Sequence, residues 1–239
     1  LVCLVGSEMC IRDRNYLLLC LLMFFPYKDD NPRVLFPFIT YTLITINILV
    51  FLTFTYISFL TPNTNWFYTF GFIPNSFNVL TILSSMFIHS GIGHILSNMW
   101  FLYIFGDNIE SILGHMKFLL FYILCGFGAA FAQYIIDPNS SIPMVGASGA
   151  IAGVLGAYMI SFPKAKVHVL AFIIIFITTL IIPAQIVLGL WFFIQLSSGL
   201  NSLGIDTNGG VAWFAHVRGF IAGVGSVSYT HLRAHETHE

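Results

Sequence analysis

VGASGAIAGVLGA, residues 145–157, decides how the chain is read: one hydroxyl, Ser148, opens an otherwise apolar helix of small residues. Glycine and alanine let neighbouring backbones approach closely, and Gly149 with Gly153 has the small-xxx-small spacing of helix contacts inside a bilayer. A helix of this make is expected at the centre of a bundle, touched on several sides.

The rest of the composition agrees with a bilayer setting. Hydrophobic residues make up 57% of the chain and charged residues 8%, in apolar runs too many and too long for one soluble core. That pattern is expected of a polytopic membrane protein. The formal net charge of -1 rests on few groups, so neither a nucleic-acid footprint nor an acidic tail is present.

The two ends read differently. LVGSEMCIRD (residues 4–13) and VSYTHLRAHE (residues 227–236) can be encoded by the two complementary strands of one DNA segment. Such an inverted repeat is a property of DNA rather than of protein design. Residues 1–14 and 227–239 are therefore read as translated sequencing-adapter sequence and set aside, with His231, His235, His238, Cys3 and Cys10. Residues 15–35 are read as a leader whose true start is Met23, and 36–226 as the membrane domain, its last helix cut short. Cys20 and Cys125 then remain, with no disulfide framework and no CxxC motif.

Outward from Ser148, the fourth helix is expected to run to Phe162, where Pro163 stops it. At about 22 Å it is shorter than a hydrocarbon core of about 30 Å, so Ser148 should be recessed below the surface. Upstream, 36–60 predicts the first span, 61–78 an aromatic interfacial loop, and 90–110 the second span. Lys117 marks a short turn before a third span over 118–136, and 137–144 is a turn-forming loop. Downstream, 167–181 is read as interfacial or as a tilted extension of a fifth helix over 183–200. A polar loop over 201–210 leads to a sixth helix opening at Val211.

The second helix carries a polar stripe. Ser90, His94, Ser97 and Asn98 fall at i, i+4, i+7 and i+8 and share one helical face, which should point into the bundle. His89 lies off the stripe. Lys28, Arg33, Lys117, Lys164 and Lys166 fall in the leader or in even-numbered connections, which puts the leader in the cytoplasm by the positive-inside rule. His94, Ser148 and His216 then each stand near the outer start of their helices, at similar depth.

A serine hydroxyl is a weak nucleophile until a base accepts its proton, and His216 is the candidate base. His94, the Asn98 amide and the Ser148 backbone N–H are candidate donors to an oxyanion. No acidic third member is evident, since Asp137 and Asp206 are loop residues; a dyad is expected.

At these residues the chain resembles a bacterial six-helix rhomboid intramembrane serine protease. The matching pieces are KDDNP, FIHSGIGHILSNM, GDNIE, GASGAIAG and AHVRGFIAG. The resemblance implies an all-α membrane protein, a six-transmembrane-helix rhomboid-like bundle with a short central fourth helix. It implies a serine-type endopeptidase with Ser148 as nucleophile, His216 as its partner, and His94 and Asn98 in the oxyanion hole. Gly146 would begin the GxSG turn, Gly149 follow the nucleophile, and Gly219 with Gly223 let the sixth helix pack on the fourth. Further implications are transmembrane protein substrates, cleaved in or near their membrane segments and admitted near Pro183 to Leu200, and no metal or cofactor. The setting implied is the bacterial inner membrane, with the site near its outer face.

Two positions depart from the family pattern. Arg218 replaces a small residue and must reach a polar partner or an interface. Position 152 is alanine where some members carry an aromatic, so stacking support for His216 must come from elsewhere.

Other readings attach to the same residues. A lone membrane serine commonly bonds to its own backbone, and His94 with Asn98 is also the pattern of an interhelical polar stripe. A catalytically inactive rhomboid-like protein that binds membrane clients is the first rival, although such relatives typically lack the serine or the histidine. A transporter, metal or haem protein using His89, His94 and His216 is the second; positions 89 and 94 would be about 140° apart on a helix. His89 and His115 are read as structural and unpaired. Asp107 and Glu110 are read as solvated or pinning a turn, with Glu110 structural.

Overall fold

The computed structural model describes residues 22–173, 176–202 and 213–236. The apolar runs become long helices: α1 (Phe38–Leu60) leads through α2 (Trp66–Phe70) and α3 (Val79–Ser85) into α4 (Ile92–Leu113). After these come α5 (His115–Ile136), α6 (Ser148–Ser161), α7 (Ala184–Ser202) and α8 (Trp213–Glu236). The expected first to sixth helices are α1, α4, α5, α6, α7 and α8. α8 continues through 227–236, and residues 1–14 lie outside the described residues.

α1 and α5 are long and apolar enough to cross a membrane. α1 buries only Ile39, Thr40, Leu43 and Asn47, while Leu49, Leu52, Phe59 and their neighbours face outward. A soluble bundle would not leave such a surface uncovered; a lipid environment suits it.

The fourth helix is central, as its small residues predict. Ala150 through Tyr158 are all buried on α6, and α8 lies against it. A Cβ on Gly219 would collide with the Gly149 carbonyl oxygen, one on Gly223 with that of Gly153, and one on Gly156 with that of Phe220. Glycine at these positions sets how closely the two helices approach.

The all-α expectation is corrected by a three-stranded antiparallel sheet. Of the segment expected as an interfacial or tilted helical extension, residues 167–173 and 176–181 are strand. They belong to two antiparallel strands, β2 (Lys166–Ile173) and β3 (Phe176–Pro183), and β1 (Leu22–Asp29) pairs with β2. The run is rich in β-branched residues, and alternate Val167, Val169 and Ala171 are buried, a period of two that hydropathy alone does not distinguish from a helix. Part of the expected leader is thus a strand of the domain. Asp30 N–H donates to the Lys166 carbonyl at 3.0 Å, and Trp100 Nε1 to the Pro26 carbonyl at 2.8 Å.

Beside the sheet, polar residues close one end of the bundle. Asp29 Oδ2 accepts from the Tyr158 hydroxyl at 2.5 Å and from Asn108 Nδ2 at 2.9 Å; Arg33 Nε donates to Asp107 Oδ2 at 2.7 Å. The turn expected at Lys117 lies instead at Gly114, whose φ of 76° permits α4 to pass directly into α5. Glu110 and Asp107 are buried rather than solvated. Glu110 accepts from Ile39 N (2.8 Å), Thr40 N (2.7 Å) and Thr40 Oγ1 (2.7 Å), capping α1 from 70 residues away. His115, expected to be unpaired, meets Glu110 Oε1 through Nδ1 at 2.5 Å.

Candidate active site

Ser148 is the first residue of α6, half-buried, so its N–H lacks an intrahelical acceptor. Gly146, two residues earlier, has φ of 115°, and its N–H donates to the Ser85 carbonyl at 2.8 Å, which ties the GxSG turn to the end of α3. Phe72 and Met144 exchange two backbone hydrogen bonds, 3.0 and 2.8 Å, steadying the preceding loop.

α8 brings His216 to this turn from 68 residues away. Its Nε2 lies 2.7 Å from Ser148 Oγ, and its Nδ1 lies 2.7 Å from Gln195 Oε1 on α7. A carbonyl oxygen only accepts, so Nδ1 carries the imidazole proton; Nε2 is then free to accept from the serine hydroxyl. Trp191 and Trp213 flank the ring at centroid distances of 6.2 and 6.3 Å, the support that Ala152 does not supply.

His94 and Asn98 come from α4, one turn apart on the predicted polar stripe. A Cβ on Gly146 would stand 2.6 Å from His94 Nε2 and 3.7 Å from Asn98 Nδ2, so both nitrogens crowd the turn that carries Ser148. Only glycine leaves them that room. Ser90 N–H approaches His94 Nδ1 at 3.4 Å and Ser90 Oγ lies at 3.0 Å. An N–H can only donate, so Nδ1 accepts and the neutral ring presents Nε2–H toward Gly146. Asn98 is buried, and its Nδ2 has no hydrogen-bond partner.

His89 precedes the first residue of α4, so the 140° separation expected of a continuous helix does not apply. Its ring is buried, its centroid 5.0 Å from that of His94. A cleft of about 630 Å³ between α1, residues 62–67 and 88–92 reaches His89 and Ser90. Among the described residues no group of three or more His, Cys, Asp or Glu is placed to hold a metal ion.

Asp137 is exposed in its loop, and Asp206 lies outside the described residues. Arg218 is exposed on α8, with Nη1 3.5 Å from the Ala132 carbonyl oxygen, so the position adds no buried charge. Sequence reasoning missed Gln195, Trp191 and Trp213. The amide near the end of the apolar run AQIVLGLWFFIQL, ten residues after Gln185 at its start, was the available signal for the first.

A central short helix opened by a serine, packed through glycines on a histidine-bearing helix, defines the class to which comparison with known proteins also leads. A model of the rhomboid domain matches residues 76–233, most of the chain. The chain belongs to the rhomboid family, whose members are helical bundles integral to membranes. It is 33% identical over 127 residues to rhomboid protease GluP of Bacillus subtilis, covering 52% of this chain and 24% of GluP. The putative rhomboid protease YdcA of the same organism is 33% identical over 78 residues, 33% of this chain and 39% of that protein. Presenilin-associated rhomboid-like protein A, mitochondrial, of Danio rerio is 34% identical over 92 residues, 38% and 24% of the two chains. The matched segments thus span from about a quarter to two fifths of these relatives.

Proposed function

We propose that the protein is an intramembrane serine endopeptidase that hydrolyses peptide bonds in or near transmembrane segments of other membrane proteins. The observation that carries this reading is the 2.7 Å contact of Ser148 Oγ with His216 Nε2, beside the His94 and Asn98 nitrogens. Six helices cross the bilayer in this reading. The leader, sheet and lysines lie on the cytoplasmic side of a bacterial inner membrane, and the site lies near the outer face. α7 forms the lateral entry for substrate; the loop expected over 201–210 lies outside the described residues from 203 on.

His216 Nε2 accepts the Ser148 proton as Oγ attacks the scissile carbonyl carbon. The carbonyl oxygen, now negative, is held by His94 Nε2–H, the Asn98 amide and the Ser148 N–H. The C–N bond breaks as His216 passes its proton to the leaving amine, leaving an ester on Ser148. Water, deprotonated by His216, then attacks that ester; carboxylate and serine are regenerated. Ser90, His94, Ser97 and Asn98 give this water a polar path from the outer side.

The test is labelling of the detergent-solubilised protein with a fluorescent fluorophosphonate. Ser148→Ala and His216→Ala should each abolish labelling while leaving helix content and size-exclusion behaviour intact. Labelling that persists in either variant, or is absent from the parent protein, would move the assignment to an inactive client-binding rhomboid.

A further inference from the structure

Gln195 stands one turn from Trp191 on α7, and both side chains meet His216, one through a hydrogen bond and one through its ring. At four residues' separation they share a helical face. Gln195 is buried in a segment otherwise almost wholly apolar, where an unpaired amide is costly. Its oxygen is used on the one imidazole nitrogen that Ser148 leaves free.

We propose that Gln195 is the positioning residue for His216: its side-chain oxygen holds the imidazole as the Nδ1–H tautomer, so that α7 belongs to the reacting assembly. This rests on the hydrolase reading above. The neutral imidazole of free histidine favours the opposite tautomer, with the proton on Nε2. In that form Nε2–H would donate to Ser148 Oγ, and no atom would remain to take the serine proton. An acceptor at Nδ1 reverses the preference and fixes the ring plane in the same contact. As Nε2 takes the serine proton, the Gln195 dipole faces the resulting imidazolium from behind, the place that a carboxylate occupies in a three-membered relay. Gln195 never receives the proton itself.

The amide also ties two helices together. α7 follows β3 directly, and Ala184 N–H donates to the Ala165 carbonyl at 2.8 Å, so the sheet sets where α7 starts. Any outward displacement of α7 removes the acceptor from His216. The base is therefore correctly protonated only while α7 is docked.

The experiment uses the full chain, labelled with ¹⁵N-histidine and held in detergent micelles, with the His216 resonances identified by their loss in His216→Ala. Two-bond ¹H–¹⁵N correlation spectra read which ring nitrogen carries the proton, and fluorophosphonate labelling rates are measured on the same samples. The parent protein is expected to show a protonated Nδ1 and a bare Nε2. Gln195→Met, close in size but without a comparable acceptor, should shift the ring toward Nε2–H and slow labelling by about a hundredfold. Gln195→Glu, which keeps an acceptor oxygen, should retain Nδ1–H and label within about tenfold of the parent.

A parent spectrum with the proton on Nε2 overturns the proposal without any variant, so it does not depend on Gln195→Met folding. An unchanged tautomer in Gln195→Met overturns it, as does a changed tautomer with an unchanged labelling rate. The failure of the hydrolase reading is distinct: the parent itself would label no faster than Ser148→Ala, and the positioning role would fall with it.

Discussion

The two ends of the bundle each hold a polar cluster inside an apolar frame, and they differ in how completely their hydrogen bonds are made. At the sheet end Asp29 accepts from Tyr158 and Asn108, Arg33 pairs with Asp107, and Glu110 gathers two backbone N–H groups, a hydroxyl and His115. At the Ser148 end the buried Asn98 Nδ2 finds no hydrogen-bond partner among the described residues. Buried polar groups are nearly always satisfied, because an unmade hydrogen bond costs about 1–3 kcal/mol. The difference teaches which cluster holds shape and which is held ready: the one at the sheet consumes its donors in the fold, and the one at Ser148 keeps the Asn98 amide unspent beside the turn that carries the serine.

The largest effect that can break this comparison is expected at Asn98. Asn98→Ala should slow fluorophosphonate labelling by about 100- to 1,000-fold, the cost of one oxyanion donor, while the melting temperature stays level or rises. A fall in melting temperature with little change in labelling would show that the Asn98 amide is structural after all.

Glu110→Ala should give the reverse pattern. Removing the carboxylate leaves Ile39 N, Thr40 N and Thr40 Oγ1 without their acceptor, and stability should fall by about 3 kcal/mol. Below its lowered melting temperature the folded fraction should label at the parent rate. If labelling per folded molecule fell as far as in Asn98→Ala, the division between the two ends would not hold.

The smallest effect concerns pH. Burial raises the Asp29 carboxyl above its ordinary value, opposed by the Tyr158 hydroxyl and reinforced by the nearby charge of Asp107. The folded state thus holds this proton more tightly than the unfolded chain. The contribution of Asp29 to stability is complete below the ordinary carboxylate value and fades as pH rises through the raised one. Protection of the β1 amides against hydrogen exchange, taken relative to the intrinsic rate at each pH and followed upward through that interval, should fall in the parent protein and not in Asp29→Asn. Equal behaviour of the two would remove Asp29 from the network beside the sheet.

Much of the cluster around Ser148 was legible because polarity in an apolar helix is conspicuous. His94, Asn98, Ser148 and His216 each stand out against their neighbours. The glycines at 149, 153, 219 and 223 suggested a close helix pair, and a Cβ on Gly219 or Gly223 would meet a carbonyl oxygen of α6. The cluster beside the sheet was not legible in the same way. Asp107 and Glu110 at a helix end look solvated until the strand from 22 to 29 and the start of α1 arrive to cover them. The β2–β3 pair was missed because an apolar, β-branched run has the hydropathy of a membrane helix, and its partner β1 lies about 140 residues earlier.

By itself the sequence determined where the long helices run, which of them is central, and which few polar side chains interrupt them. These follow from composition and from a periodicity that each segment carries alone. Only the tertiary structure decided that residues 22–29 of the leader form a strand, that Glu110 caps a helix 70 residues away, and that Gln195 faces His216. A hydrogen bond between distant segments depends on where the packed helices bring two atoms, and no local pattern in either segment records that meeting.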